Sequence, residues 1–329
     1  MKHYTCLAER RSRTGWHWYT PCMNEAAYLA VIGKVKGAGL RKLPFEFLQV
    51  TGKDRTQFLQ GQVSNDVLSI APRQKVDACL LNNTGHLLAY LSIYGREEKL
   101  LLQTDESRAE IIKKTLERFI VRERIEIQPA DLVLITLQGS GAEGEESDNP
   151  AFFVNLRRRY GAAFGVDLIV DRRDADEAIA GILNRDETYV IDDETANILR
   201  VESGEPAWGA ELDESIIPLE AGLDFAISYT KGCYMGQEII ARIHSRGHTN
   251  RTLVGLKLDE KLELGSLLVA VDGERKGENI ARITSVAVSP RFGPIALAYV
   301  RNEYSAPGKV LATLNGGAVV SNLPFQPGE

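Results

Sequence analysis

The sequence predicts an α+β fold that ends in a small β-barrel or sandwich domain. Between Phe45 and Arg200, strand, hairpin and helix patterns mix without the regular alternation of a parallel βαβ sheet. After Arg251, short apolar segments separated by Gly and Pro turns indicate a compact all-β unit. The chain has 329 residues, which is long enough for two or three hydrophobic cores rather than one.

Local patterns assign the elements of the mixed region in order. Alternating apolar residues at 45–50 predict a half-buried strand, and Asp54 is a suitable N-cap for the amphipathic stretch around Phe58. Asn82-Asn-Thr-Gly85 predicts a hairpin turn between strands 75–81 and 87–94, because Asn and Gly tolerate positive φ angles. The next predicted elements are a strand at 99–103, a helix at 107–119, strands at 125–127 and 132–137, short strands within 151–170, and helices at 174–184 and 192–200.

Three regions follow from these patterns. Residues 1–36 are aromatic and basic without a clear period, so they predict an N-terminal extension. Residues 37–249 hold the mixed α+β region, and residues 250–329 hold the β domain. The strands predicted in the β domain are 253–258, 265–271, 277–288, 295–300 and 310–314.

Composition narrows the class of protein. The net charge of −6 argues against a broad nucleic-acid surface, since non-specific binding to phosphates is largely cationic. No apolar run is long enough to span a bilayer, and no secretory signal is recognisable. The four cysteines, Cys6, Cys22, Cys79 and Cys233, lack pair spacing, which favours free thiols in a reducing compartment. The expected location is the cytoplasm.

Two motif matches have better explanations than the chemistry they suggest. Gly139-Ser-Gly-Ala-Glu-Gly144 fits a dinucleotide-binding pattern, but an acidic stretch ending at Pro150 replaces the helix that such a site needs. His244 and His248 have a zinc-like spacing, but Gly247 between them is expected to end the helix. We therefore predict an acidic loop and surface histidines.

The segment from Lys231 to Arg251 is the most informative. Gly232 and Gly236 permit a tight turn, and the sequence favours a helix from about Gln237. Cys233 is thus expected just before a helix N-terminus and close to Lys231, and both features favour the reactive thiolate. A free cysteine is also commonly a small buried hydrophobe. The residues alone leave both interpretations open.

The run K-G-C-Y-M-G-Q-E-I-I-A-R, from Lys231 to Arg242, resembles the motif of YgfZ-like proteins. These form a folate-binding branch of the glycine-cleavage T-protein superfamily, which includes the aminomethyltransferase. The resemblance extends over roughly residues 43 to 315. Further similar runs, in family order, are F-L-Q-G at 58–61, S-N-D-V at 64–67, L-L-N-N-T-G at 80–85, L-R-V-E-S-G at 199–204, I-P-L-E-A-G-L at 217–223 and I-A-L-A-Y-V at 295–300.

This resemblance implies a fold and a ligand. The fold is two interleaved α+β lobes of the aminomethyltransferase folate-binding type over 37–249, plus a small C-terminal β-barrel. Tetrahydrofolate, or a one-carbon derivative, is expected in a central channel. Glu202 matches the glutamate that hydrogen-bonds the pterin, a task suited to a carboxylate because the pterin edge presents N–H donors. The other residues expected to contact folate are Asn83, Tyr90, Gln237, Arg242, Arg246 and Arg251.

The basic residues among these have two interpretations. Arg246 and Arg251 could neutralise the glutamate tail of folate, since guanidinium pairs well with carboxylate. They could also belong to a solvated helix face.

One departure from the transferase pattern affects the expected chemistry. The aminomethyltransferase carries an acidic pair on the strand after the hairpin, where an aspartate assists the reaction. Here Ala89 and Tyr90 stand at those positions, and neither supplies a carboxylate. An unperturbed phenol, with a pKa of ~10, is a poor base at neutral pH. We therefore do not expect an aminomethyltransferase.

The resemblance implies an accessory protein that helps to synthesise, maintain or repair iron–sulfur enzymes, including tRNA-modifying ones. Cys233 is the expected functional thiol, with Lys231 beside it. One cysteine cannot hold a cluster, which usually needs about four ligands, so Cys233 would act transiently or as a redox-active group. The expected partners are folate and iron–sulfur enzymes or assembly factors, with no direct nucleic-acid or membrane contact.

Two alternatives to this function stay open. One is a tetrahydrofolate-dependent one-carbon (aminomethyl) transferase with a different base. The other is a structural adaptor that has kept the fold and lost the ligand.

Overall fold

The structure is a computed structural model of the 329-residue chain and describes residues 8–12, 15–19, 23–143, 153–156, 159–273, 275–312 and 316–327. Within these ranges the strands lie in two five-stranded sheets, a closed six-stranded barrel and a short hairpin. The hairpin pairs β1 (Ala8–Ser12) with β2 (Gly15–Tyr19). None of the described helices is both long enough and apolar enough to cross a membrane.

The elements that precede the barrel follow one another in a mixed order. They are α1 (Glu25–Val31), β3 (Ala38–Leu43), β4 (Phe45–Thr51), α2 (Arg55–Gln60), β5 (Lys75–Leu81), β6 (Leu87–Gly95), β7 (Lys99–Asp105), α3 (Ala109–Glu117), β8 (Glu126–Ala130), β9 (Leu132–Gln138), β10 (Phe153–Leu156), β11 (Gly165–Asp171), α4 (Ala175–Leu183), β12 (Thr188–Val190), α5 (Asp193–Ser203) and α6 (Gln237–Arg246). The barrel strands are β13 (Arg251–Leu258), β14 (Leu267–Ala270), β15 (Asn279–Ser289), β16 (Gly293–Arg301), β17 (Val310–Ala312) and β18 (Gly317–Ser321).

The two five-stranded sheets are interleaved along the chain. The first sheet has the order β5-β6-β7-β4-β8, and the second has the order β10-β11-β9-β3-β12. From β3 in the second sheet, the chain therefore crosses to the first sheet between Leu43 and Phe45, and it returns between Ala130 and Leu132. A buried cluster that includes Phe47 joins the sheets where these crossings occur. The expected interleaved α+β lobes are confirmed by this order.

Each sheet buries its apolar residues under helices. Helices α2 and α3 cover the first sheet through Leu59 and Ile112, among others. Helix α4 covers the second sheet through Ala175 and Ile182. In α3 the buried residues Ile112 and Leu116 are four apart, which places them on one helical face.

The C-terminal barrel is closed by an antiparallel pairing of β18 with β13. Its interior is filled by side chains such as Leu256, Leu268, Ile283 and Leu311, each buried. Burial of one such side chain stabilises the fold by about 1.5–3 kcal/mol. The predicted β domain is confirmed as a barrel, with β18 as a strand that the sequence patterns missed.

The segment expected to be an N-terminal extension is partly built into the fold. Helix α1 buries Ala27, Tyr28 and Val31 against α5 and the barrel. Its N-cap Asn24 is tied to Asp192, because the main-chain amide of Asn24 donates to the Asp192 carboxylate at 2.7 Å. Residues 25–31 of the expected extension are therefore part of the packed region. A seven-residue helix shows too few turns to give a clear apolar period in the sequence.

Candidate functional site

A cavity of about 900 Å³ lies where the two sheets, α5 and the barrel meet. Such a volume falls within the range of small-molecule sites, about 300–1,000 Å³. Its wall carries both aromatic side chains and charged groups. The aromatic residues are Phe45, Tyr90, Tyr160, Trp208 and Phe225, and the cations are Arg41, Arg159 and Arg200.

Two cations of the cavity wall, Arg159 and Arg200, are held by buried carboxylates. Arg159 donates to Asp167 at 2.7 Å and to Glu205 at 3.0 Å, and both Arg159 and Asp167 are almost fully buried. Burial opposes the charge on Arg159, but Asp167 and Glu205 outweigh it and raise the pKa of the guanidinium. Arg200 is fixed in a similar way, since it bonds Glu211 at 2.8 Å. These arginines are therefore fixed before any ligand arrives.

Residue 160, next to Arg159, has an unusual backbone. Tyr160 has a φ of 58°, a left-handed conformation that costs free energy for a residue with a Cβ. Its ring lines the cavity, and burial raises the pKa of the phenol to about 12. The preceding residue, Arg159, is held in place by its ion pair with Asp167. Its main-chain amide also donates to the side chain of Gln138.

The side chains of Ala89 and Tyr90, which stand where the transferase carries its acidic pair, point in opposite directions. Ala89 is fully buried in the core of the first sheet, whereas Tyr90 lines the cavity and meets Phe225 edge to face at 6.4 Å. This follows from the alternation of side chains along β6. At this place the cavity wall therefore carries a phenol and no carboxylate.

A carboxylate does line the cavity on the neighbouring strand. Asp105 ends β7, and its Oδ1 accepts hydrogen bonds from the amide and the hydroxyl of Ser107. Sequence reasoning missed Asp105, although a polar residue at the end of an apolar strand is a recognisable signal. It also missed Trp208, whose ring lies under the buried guanidinium of Arg108 at 4.4 Å. Arg108 in turn bonds Glu214 at 2.7 Å.

Glu202, which is expected to contact the pterin, is buried among other side chains. Glu202 is 4% exposed and is not part of the cavity wall. Its carboxylate accepts hydrogen bonds from the hydroxyls of Tyr28, at 2.7 Å, and Ser289, at 2.5 Å, and lies 3.4 Å from Arg291. Burial raises the pKa of Glu202, and the two hydroxyls oppose that shift. The carboxylate that faces the cavity from the end of α5 is Glu205.

Lys231, which is expected beside the functional thiol, is tied to the main chain of a distant turn. Its ammonium donates to three backbone carbonyls, those of Gln60 and Val63 at 2.7 Å and that of Asn65 at 2.8 Å. Burial lowers the pKa of Lys231 to about 8, and the charge of Asp66 opposes that shift. The ammonium is therefore engaged by main-chain oxygens.

Cys233 is exposed, which decides between its two open interpretations in favour of an accessible thiol. The helix expected after it, α6, begins at Gln237 as predicted. Cys79, by contrast, lies in the core, and burial raises the pKa of its thiol to about 12. Cys6 and Cys22 lie outside the described residues.

Asn83, Gln237, Arg242 and Arg251, which are also expected to contact folate, are not part of the cavity wall. Asn83 is exposed in the hairpin turn, and Gln237 begins α6. Arg242 forms the expected pair with Glu238, at 2.8 Å on the helix surface. Arg251 bonds Glu220 at 3.1 Å. The side chain of Arg246 lies outside the part of the chain that the structure describes.

The histidine pair does not share a helix. Gly247 ends α6 with a φ of 108°, as expected, so His248 follows the helix. His244 stacks on Tyr229 with ring centroids 3.9 Å apart. Gly144 and Pro150 of the acidic loop lie outside the described residues.

Comparison with known proteins gives consistent matches. Residues 251–325 match the glycine cleavage T-protein C-terminal barrel domain. The structure superposes on the glycine cleavage aminomethyltransferase T of Bartonella henselae with a TM-score of 0.82 at 20% identity, over 97% of this chain and 94% of that one. Because this identity is low, the superposition shows the fold.

Two curated relatives extend the comparison. A putative chloroplastic transferase of Arabidopsis thaliana is 24% identical over 306 residues, which are 85% of this chain and 69% of the relative. The tRNA-modifying protein YgfZ of Yersinia pestis is 27% identical over 222 residues, which are 63% of this chain and 67% of the relative.

The fold and the barrel match define the class: the chain has the fold of the glycine-cleavage aminomethyltransferase T, and residues 251–325 form a glycine cleavage T-protein C-terminal barrel domain. Among curated proteins it is similar to the YgfZ proteins.

Proposed function

We propose that the chain is a tetrahydrofolate-binding accessory protein for iron–sulfur enzymes, including tRNA-modifying ones, and that it acts through Cys233. Two features support this: a cavity suited to folate, and an accessible thiol on a fixed loop outside it. The Yersinia pestis relative is named for tRNA modification, which agrees with a role in support of tRNA-modifying enzymes.

The cavity residues fit the chemistry of folate. The rings of Tyr90, Trp208 and Phe225 offer apolar faces to the flat pterin and benzoyl groups. Glu205 and Asp105 are fixed acceptors for the N–H edge of a pterin. Arg41 suits the glutamate tail, because guanidinium binds carboxylate well.

Binding is tested by calorimetry with tetrahydrofolate on the full chain. Trp208→Ala should weaken binding at least about tenfold, since stacking and burial of an aromatic ring contribute on the order of 1–3 kcal/mol. Phe119→Ala, on an exposed ring outside the cavity wall, is the matched control and should bind as the wild type does. Absence of binding by the wild type would refute the folate assignment and favour the adaptor alternative.

The role of Cys233 is tested by complementation in cells that lack their own YgfZ-like protein. Cys233→Ala should fold and bind tetrahydrofolate normally, because the side chain is exposed, yet fail to restore iron–sulfur enzyme activity and the tRNA modification that depends on it. Thr230→Ala, an exposed neighbour on the same loop, should restore both. Full complementation by Cys233→Ala would contradict the proposed function.

Asp105 supports a second candidate, a one-carbon transferase. Its carboxylate lines the cavity, so a base is present although Ala89 and Tyr90 supply none. Purified protein is incubated with 5,10-methylene-tetrahydrofolate or an aminomethyl donor. Turnover that Asp105→Asn abolishes would favour this candidate, and equal rates with and without the protein would exclude it.

A further inference from the structure

The segment that carries Cys233 is held at both of its ends. At its start, the amide of Ser228 donates to the carbonyl of Ser64 at 2.9 Å, and the Ser64 hydroxyl donates to the carbonyl of Ala226 at 2.6 Å. At its end, Gly236 has a φ of 79° and packs so closely on the carbonyl of Asn82 that a Cβ would collide with it. Cys233 lies between these fixed ends and is exposed.

Lys231 adds a third attachment in the middle of the segment. Its ammonium donates to the carbonyls of Gln60, Val63 and Asn65, which are 171, 168 and 166 residues away in the sequence. An ammonium group has three N–H donors, so these three acceptors use all of them. None is left for the thiol of Cys233.

The same turn also reaches the cavity. The side chain of Asn65 donates to the carbonyl of Phe225 at 3.2 Å, and the ring of Phe225 lines the cavity. Residues 60–65 therefore hold both the cavity wall and, through Lys231, the segment with Cys233.

We propose that Lys231 is the positioning residue of Cys233: it ties residues 228–236 to the turn at 60–65 and so fixes the thiol relative to the folate cavity. The charge of Lys231 serves those carbonyls and does not activate the sulfur. Because the importance of Cys233 rests on the function proposed above, the test below separates the two.

The experiment compares Lys231→Met with the wild type in the full chain. Hydrogen exchange of the amides of 228–236 should rise at least about tenfold, since several hydrogen bonds that close the segment are lost. Iodoacetamide labelling of Cys233, followed by mass spectrometry of its peptide, gives the rate of alkylation against pH. The pH at which the alkylation rate is half its maximum should stay within about 0.3 pH units of the wild-type value, because the ammonium is directed to carbonyls rather than to the sulfur.

Lys53→Met is the matched control, since it removes the same charge from an exposed lysine. It should leave both measurements unchanged. Should Lys231→Met fail to fold, Lys231→Gln carries the same comparison, because its amide keeps two N–H donors without charge. Hydrogen exchange in Lys231→Gln should rise by less than is expected for Lys231→Met. The pH at which the alkylation rate is half its maximum should again match the wild-type value.

An upward shift of that pH by about one unit or more, with unchanged exchange, would overturn the proposal and make Lys231 an electrostatic activator. Unchanged values of both would also overturn it. If Cys233→Ala complements fully, the proposed function fails, whereas exchange and alkylation still decide whether Lys231 anchors the segment.

Discussion

Replacement of Glu202 tests whether this residue holds the fold or the ligand. The side chain joins α5 to α1 and β15 through the hydroxyls of Tyr28 and Ser289, both almost fully buried. In Glu202→Ala each hydroxyl loses its acceptor, and a buried polar group without a partner costs about 1–3 kcal/mol. The free energy of unfolding should therefore fall by about 2–6 kcal/mol, summed over the two hydroxyls.

Urea unfolding followed by circular dichroism measures this loss. With a slope of about 3 kcal/mol per molar urea, the midpoint should fall by about 1 M. Tyr28→Phe removes one of the two donors and should cost about 1 kcal/mol. The double variant should lose less than the sum of the single losses, because the two groups contact each other.

Glu202→Gln refines the prediction through pH. Burial raises the pKa of Glu202 in the folded state above its unfolded value. The part of the stability that comes from this pKa difference is thus fully present below the unfolded pKa and is lost as the pH rises through the folded pKa. Glutamine resembles the protonated form, so the stability of Glu202→Gln relative to the wild type should increase with pH across that window.

Tetrahydrofolate affinity separates the two roles. Every folded variant at position 202 should bind as the wild type does, since the side chain is not part of the cavity wall. A folded Glu202→Gln protein of normal stability that fails to bind folate would refute the structural role.

Two further substitutions test the cavity wall and the Cys233 segment. Asp167→Ala should lower the free energy of unfolding by about 3–5 kcal/mol, because it leaves the buried charge of Arg159 without its main partner. Thermal unfolding measures this loss. Asp171→Ala, at a more exposed aspartate, is the control. Gly236→Ala should cost about 1–3 kcal/mol, because its left-handed backbone and the adjacent carbonyl both exclude a Cβ. Gly232→Ala, where a Cβ would meet nothing, should be close to neutral, and equal losses at 232 and 236 would contradict this explanation.

Local patterns in the sequence predicted most of the elements. The hairpin at 82–85, the start of α6 at Gln237 and the strands β13 to β17 each depend on turn residues or on a short apolar period, which are readable without a partner. Helix α1 and strand β18 were missed because each is short and gains its stability from packing against distant parts of the chain.

The residues of the cavity could not be collected from the sequence. Arg159, Asp105 and Trp208 come from separate parts of the chain, and only the packing of the sheets, α5 and the barrel brings them to one wall. Of the residues expected to contact folate whose side chains the structure describes, only Tyr90 lines that wall, because the pleat of β6 sends it to the cavity and Ala89 to the core.

The sequence by itself determined the superfamily pattern, the order of the elements and the presence of the motif around Cys233. The tertiary structure decided which motif residues face the ligand and which hold the fold. In the R-x-E run of α5, Arg200 and Glu202 are two residues apart, which separates them by about 200° around a helix, so only Arg200 reaches the cavity. In the K-G-C run, Lys231 stands two residues from Cys233, yet its three hydrogen bonds go to carbonyls at 60–65. Proximity in sequence does not fix the direction of a side chain, and that direction decided both cases.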